Sequence, residues 1–247
     1  MMSQSSPLTH QDANHRDSAW ERAANYEKEE RPIHPVSKIV IKGAVDVVFF
    51  RSSSAHLVVT GENVEAIRNI KTRFEGDKLI IEQEGISISG YGGNIHVSGT
   101  GNIFVGGTIN VGGRHGGVTM QSKGRSIVGI ALPEAPSIRI KGSGDVTLYD
   151  LQQTVLDLGI QGSGDITAFG RVGLLDAEIA GSGDVDASEL VATSAKLSVV
   201  GSGDIDAYVS DSVKARVAGS GDIVVRGNPP TRDHSVAGSG DIKFKKK

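Results

Sequence analysis

Six aspartates recur along the second half of this 247-residue chain: Asp145, Asp165, Asp184, Asp204, Asp222 and Asp241. Each closes a Gly-Ser-Gly-Asp tetrapeptide that begins at Gly142, Gly162, Gly181, Gly201, Gly219 or Gly238. Hard carboxylate oxygens in a row are the donors that Ca²⁺ takes. Neighbouring carboxylates could also act as acid and base at a glycosidic bond. A third role is structural, since Asp carboxylates and Ser hydroxyls accept hydrogen bonds from turn N–H groups. Like charges 5 Å apart repel by about 0.8 kcal/mol even in water, so a cation or the turn itself must offset the repulsion. Six equivalent copies describe a building unit rather than a single site. In calcium-binding nonapeptide repeats a residue separates Gly from Asp, whereas here Gly abuts Asp. The turn reading therefore leads. The six aspartates stand behind it as calcium candidates, and the six glycines as structural corners.

Other chemistry finds little support. The chain has no Cys, which excludes a disulfide framework and any thiolate nucleophile or ligand. Ser143, Ser163, Ser182, Ser202, Ser220 and Ser239 are six equivalent residues, whereas a nucleophilic serine needs one activating base and an oxyanion site. The Gly-Ser-Gly triplet lacks the Lys-Ser/Thr and the following helix of a phosphate loop. No two of the seven histidines are spaced as a metal-ligand pair, although His96 and His115 could face each other across a hairpin. Asp186 and Asp206 form a small acidic patch beside the repeated aspartates, read as a solvated face. Trp20 is the one tryptophan and stands outside the repeats. A formal charge of −3 gives no drive toward nucleic acid, and no apolar run reaches the ~20 residues of a membrane span.

The elements that carry these residues follow from the spacing. The tetrapeptides recur at intervals of 20, 19, 20, 18 and 19 residues, a solenoid period. Apolar residues alternate on both sides of each one: Ile179 before Gly181, then Val185 and Ala187 after Asp184. Period-two alternation means strands with one buried face. A coil this short cannot hold a strand plus a crossover helix, which needs about 30 residues. It fits one turn of a parallel β-helix with stacked Ile and Val columns inside. Ala168, Ala187 and Ala207 mark a tight interior bend. The segment Ile39 to Val47 aligns with Ile138 to Val146, and Leu57 to Gly61 reads as a further worn copy. Carried through residues 37–247, the period predicts about ten coils, or 45–50 Å of rod at the usual inter-strand spacing.

Three segments depart from the period. Residues 1–36 are charged and lack β-branched runs. They form an N-terminal arm, flexible and partly helical, with a capping box at Ser18 to Glu21 and a helix expected to run to about Glu30. Glu65 to Ile70 reads as a short helical turn or a loop. Residues 85–117 hold twelve glycines in 33 positions and are expected to form hairpins, between degenerate coils at 37–84 and regular coils at 118–247. The last lysines, Lys243 and Lys245 to Lys247, are expected to cap the final coil.

Gly43-Ala44-Val45-Asp46-Val47, then Leu57 to Asn63, then Asp77 to Ile81, and the repeated Gly-Ser-Gly-Asp-Val/Ile resemble the bacterial domain family known as the putative auto-transporter adhesin head, or GIN, domain. The resemblance covers residues 37–244. It implies a single-stranded right-handed β-solenoid, exported or envelope-associated, with no established enzymatic activity. The N-terminal segment shows no apolar export signal. The expected function is that of a non-enzymatic binding or scaffold protein whose repeat faces engage a protein or glycan, with no cofactor save calcium. Self-assembly into a homo-oligomer is the first alternative and a carbohydrate-active β-helix enzyme the second.

Overall fold

The computed structural model describes residues 19–83, 87–91, 94–99, 118–122 and 124–246. A short helix α1 (Ala19–Arg22) is followed by β1 (Glu27–Arg31), β2 (Lys38–Gly43), β3 (Asp46–Arg51) and β4 (His56–Gly61). Helix α2 (Val64–Asn69) leads into β5 (Ile70–Glu75) and β6 (Lys78–Gln83). Then come β7 (Ser87–Tyr91), β8 (Asn94–Gly99), β9 (Val118–Ser122), β10 (Ser126–Leu132) and β11 (Ser137–Gly142). Four long bent strands each make most of a coil: β12 (Val146–Gly162), β13 (Ile166–Gly181), β14 (Val185–Gly201) and β15 (Ile205–Gly219). The last full coil is β16 (Ile223–Arg226) and β17 (Thr231–Gly238), and β18 (Ile242–Lys245) opens one more layer by stacking on β16.

The fold is a β-solenoid of about five turns with coils about 20 residues apart, nearly all of it strand. Successive coils pair parallel and in register, so Ile140, Ile160, Ile179, Val199 and Val217 stack in one column. Val146, Ile166, Val185, Ile205 and Ile223 stack in a second. Both columns are buried. Packed methyl groups at this density, each removed from water, supply the main stabilisation, about 1.5–3 kcal/mol per large side chain. Ala168, Ala187 and Ala207 are buried just before a second bend, where the register shifts between neighbouring coils. The unequal coil lengths are absorbed there.

The expected ten coils reduce to about five turns. Strands β2 and β3 do stack parallel, on β11 and β12 respectively, as the alignment of Ile39 to Val47 implied. Leu57 to Gly61 is different, because β4 runs antiparallel to both β10 and β1. Likewise β5 folds back antiparallel on β6. These segments therefore widen the first layers instead of adding coils. The helix expected to reach Glu30 stops at Arg22, and Glu27–Arg31 is a strand on the edge of β4. Edge pairing satisfies a row of backbone groups, and Arg31 adds hydrogen bonds to the carbonyls of Ile67 and Ile70 at the end of α2. The segment 65–70 resolves in favour of the helix, which Asn63 caps by accepting from the Ala66 N–H. In the Gly-rich stretch β7 and β8 form the expected hairpin, with β9 added parallel to β8 as a separate three-stranded sheet. Residues 100–117 lie outside the described residues.

In the last coil the core columns change character. Arg232 follows Val213 and His234 follows Ala215. Arg232 sits over the Phe244 ring at 4.4 Å, and His234 meets the same ring edge-on at 5.2 Å. Lys243 reaches the Asp222 carboxylate at 2.9 Å.

Candidate functional site

The six corners stack into one column, joined at its start by Gly43. Each aspartate but the last is engaged by the coil that follows, and Asp241 accepts from the N–H of Ile242. The backbone N–H groups of Asp165, Asp184, Asp204, Asp222 and Asp241 donate to Oδ1 of the preceding aspartate at 3.1, 2.9, 2.8, 2.7 and 2.9 Å. Asp145 donates in the same way to Asp46 at 3.2 Å. Ser182 N–H donates to the Gly162 carbonyl, and Ile166 N–H to the Asp184 carbonyl, each at 2.9 Å. The carboxylate thus replaces a ladder carbonyl where the chain turns away from its neighbour. The N–H dipole also offsets the stacking of like charges.

Glycine is required by the closeness of this stack. A Cβ on Gly181, whose φ is +151°, would lie 2.0 Å from the Gly162 carbonyl oxygen. A Cβ on Gly183 would lie 2.0 Å from that of Gly164. Among the described residues no group of three or more His, Asp or Glu side chains could hold a metal ion.

The remaining candidates are drawn into local structure. Asp206 holds Arg226 in a bidentate pair at 2.7 and 2.6 Å, and Asp186 takes the Ser188 hydroxyl and N–H. His34 stacks on Phe74 and His56 meets Glu30. His10, His15 and His115 lie outside the described residues.

Two features of the outer surface were not read from the sequence. The first is an aromatic row. Phe50, Tyr149 and Phe169 stack at 5.4 and 5.3 Å with nearly parallel rings, and Trp20 closes on Phe50 edge-on at 6.1 Å. Trp20 is therefore docked on the solenoid, in a seat that exists because Gly129 has no side chain. Register is the missed signal: Phe50 and Tyr149 become neighbours only because β3 stacks on β12.

The second is a basic cleft of about 330 Å³ on the outer face of β6, β2, β11 and β12. Lys38, Lys42, Lys78, Arg139 and Lys141 line it with one carboxylate, Glu75, and its floor includes Val40 and Ile80. Lys38 and Lys78 are direct cross-strand neighbours, as are Lys42 and Lys141. Arg139 lies between them, across Gly159, and forks onto Asp157 with both distances 2.7 Å. Lys78 meets Glu75 at 2.9 Å and Lys42 meets Glu82 at 3.7 Å. Hydrogen bonds from Lys78 and then Arg73 hold the Glu75 carboxyl down at about 2. Among the described residues, Lys38 and Lys141 have no ion-pair partner.

A family model described as putative auto-transporter adhesin, head GIN domain, matches residues 36–229. The chain resembles a crystal structure of a putative adhesin from Bacteroides fragilis at 18% identity and TM-score 0.61, covering 89% of this chain and 96% of that one. It also resembles a putative lipid binding protein from Parabacteroides distasonis at 20% identity and TM-score 0.52, again covering 89% and 96%. At these identities the likeness shows a shared fold. No curated protein gives a significant match in sequence.

Proposed function

We propose, for a chain that belongs to the putative auto-transporter adhesin, head GIN domain family, the role of a non-enzymatic binding module that presents its outer solenoid faces to a partner at the cell envelope. The observation that carries this reading is the corner column. Five of the six repeated aspartates, Asp145 to Asp222, serve the N–H of the next coil, and the last, Asp241, accepts from the N–H of Ile242. With the acids committed to the framework, the chemistry that varies from coil to coil lies on the outer faces, as solenoids use it. The partly exposed rings of Phe50, Tyr149 and Phe169 offer flat apolar area with little conformational entropy to lose. Among the described residues no helix is long and apolar enough to cross a membrane.

The test is retention of the purified chain on protein and glycan arrays, with released reducing ends assayed on every glycan that is retained. Retention without product is the expected result. Release of reducing ends would overturn the non-enzymatic reading. Mass that grows with protein concentration, with no partner retained, would replace it by self-assembly.

A further inference from the structure

We propose that the cleft lined by Lys38, Lys42, Lys78, Arg139 and Lys141 binds an acidic glycan, a saccharide chain carrying sulfate or carboxylate groups. This rests on the binding-module reading above and names the ligand class for one of its faces.

The first argument is the unbalanced charge. Cations directly opposite each other on adjacent strands destabilise a sheet. Here two such pairs, Lys38 with Lys78 and Lys42 with Lys141, flank one arginine. In a chain of net charge −3, five cations line this single cleft, and Glu75, Glu82 and Asp157 answer three of them, Lys78, Lys42 and Arg139. Farther along the same face Lys196 and Lys214 are also neighbours, but each meets an aspartate at 3.8 Å, Asp176 and Asp233. Lys38 and Lys141 have no such partner among the described residues. An anion from outside would supply it.

The second argument is geometry. Lys38 and Lys42 are four residues apart on β2 and on the same side of the sheet, hence about 13 Å apart. A chain with charged groups along its length matches this spacing of the two lysine pairs better than a lone sulfate or phosphate does. Val40 and Ile80 are buried between the poles, so the cations stand around an apolar floor that offers them no counter-charge. No aromatic side chain lines the cleft, so the stacking platform that single-stranded nucleic acid uses is missing.

The test is titration of the full chain with short oligosaccharides from heparin and from polygalacturonate, at low and at physiological salt. A neutral maltooligosaccharide, inorganic sulfate and a DNA duplex serve as comparisons. At least one acidic oligosaccharide should bind, and the neutral one should not. Lys38→Gln with Lys141→Gln should weaken that binding at least ~10-fold. It should also reduce the salt slope by about two, since each lost cation releases one counterion fewer. The same double change at Lys196 and Lys214 should leave affinity within about twofold, and both variants should keep the wild-type Tm. The proposal is overturned if neither acidic oligosaccharide binds, if inorganic sulfate displaces them at equal charge, if DNA binds as tightly, or if the K38Q/K141Q variant binds like wild type. Cleavage of a bound oligosaccharide would sink the non-enzymatic reading and leave the site standing.

Discussion

Two ladders of like charge run along this solenoid at the same inter-strand spacing, and they are resolved in opposite ways. In the aspartate column every carboxylate from Asp145 to Asp222 accepts an N–H from the next coil, so the repulsion is met inside the framework. In the lysine rows of the basic cleft, Glu75 and Glu82 answer Lys78 and Lys42, while Lys38 and Lys141 are left without an internal anion among the described residues. The comparison separates charge that builds a fold from charge held ready for another molecule. A residue's repetition along the chain is therefore a poor guide to binding. The aspartates repeat because each coil needs one.

The contrast can be broken hardest at the corners. Gly183→Ala sets a methyl 2.0 Å from the Gly164 carbonyl oxygen and must force two layers apart. It should cost about 3 kcal/mol or more in urea unfolding, while Lys38→Ala stays near wild type. Equal stability of the two variants would erase the distinction between framework and surface. A smaller loss is expected for Asp184→Ala, which removes the acceptor of the Asp204 N–H. About 1 kcal/mol is the expected cost. Asp184→Asn keeps an oxygen at that position and should fall between the alanine variant and wild type.

Acid sharpens the comparison further. The Lys243 ammonium, and next the Asp241 N–H, favour the charged form of Asp222 and lower its pKa. A lowered folded-state pKa contributes stability that is complete above the ordinary Asp value of ~3.9 and disappears as pH falls through the folded value. Denaturation curves between about pH 5 and about pH 2 should therefore be shallower for Asp222→Asn than for wild type. A parallel pair of curves would remove Asp222 from the stabilising set. The smallest expected effect is that of calcium, which should leave Tm unmoved because Oδ1 of each aspartate from Asp145 to Asp222 already serves an N–H group. A rise of several degrees, absent in Asp184→Asn with Asp204→Asn, would return these aspartates to the role of metal ligands.

The framework was legible because its determinants are local and repeated. Gly-Ser-Gly-Asp with flanking Ile and Val states a corner, two strand directions and a buried face within a dozen or so residues. The coil count was overestimated where the determinants are not local. Leu57–Gly61 has the alternation of a coil strand, but the open edges of β10 and β1 made it antiparallel. Glu27–Arg31 has a helix-compatible composition, and the edge of β4 overrode that weak preference. The basic cleft was invisible for the same reason. Lys78, Lys38 and Lys141 meet only because β2 lies between β6 and β11, an order in space that the order along the chain does not state.

Each middle coil offers the coil above it the same donors and acceptors that it takes from the coil below, so the coils are interchangeable parts. A duplicated copy of residues 166–184 would meet a matching surface on both sides. It would lengthen the rod by about 4.8 Å without disturbing either end. Length in this architecture is a property that inheritance can adjust in whole steps, moving the basic cleft and the last coil apart like marks on a ruler.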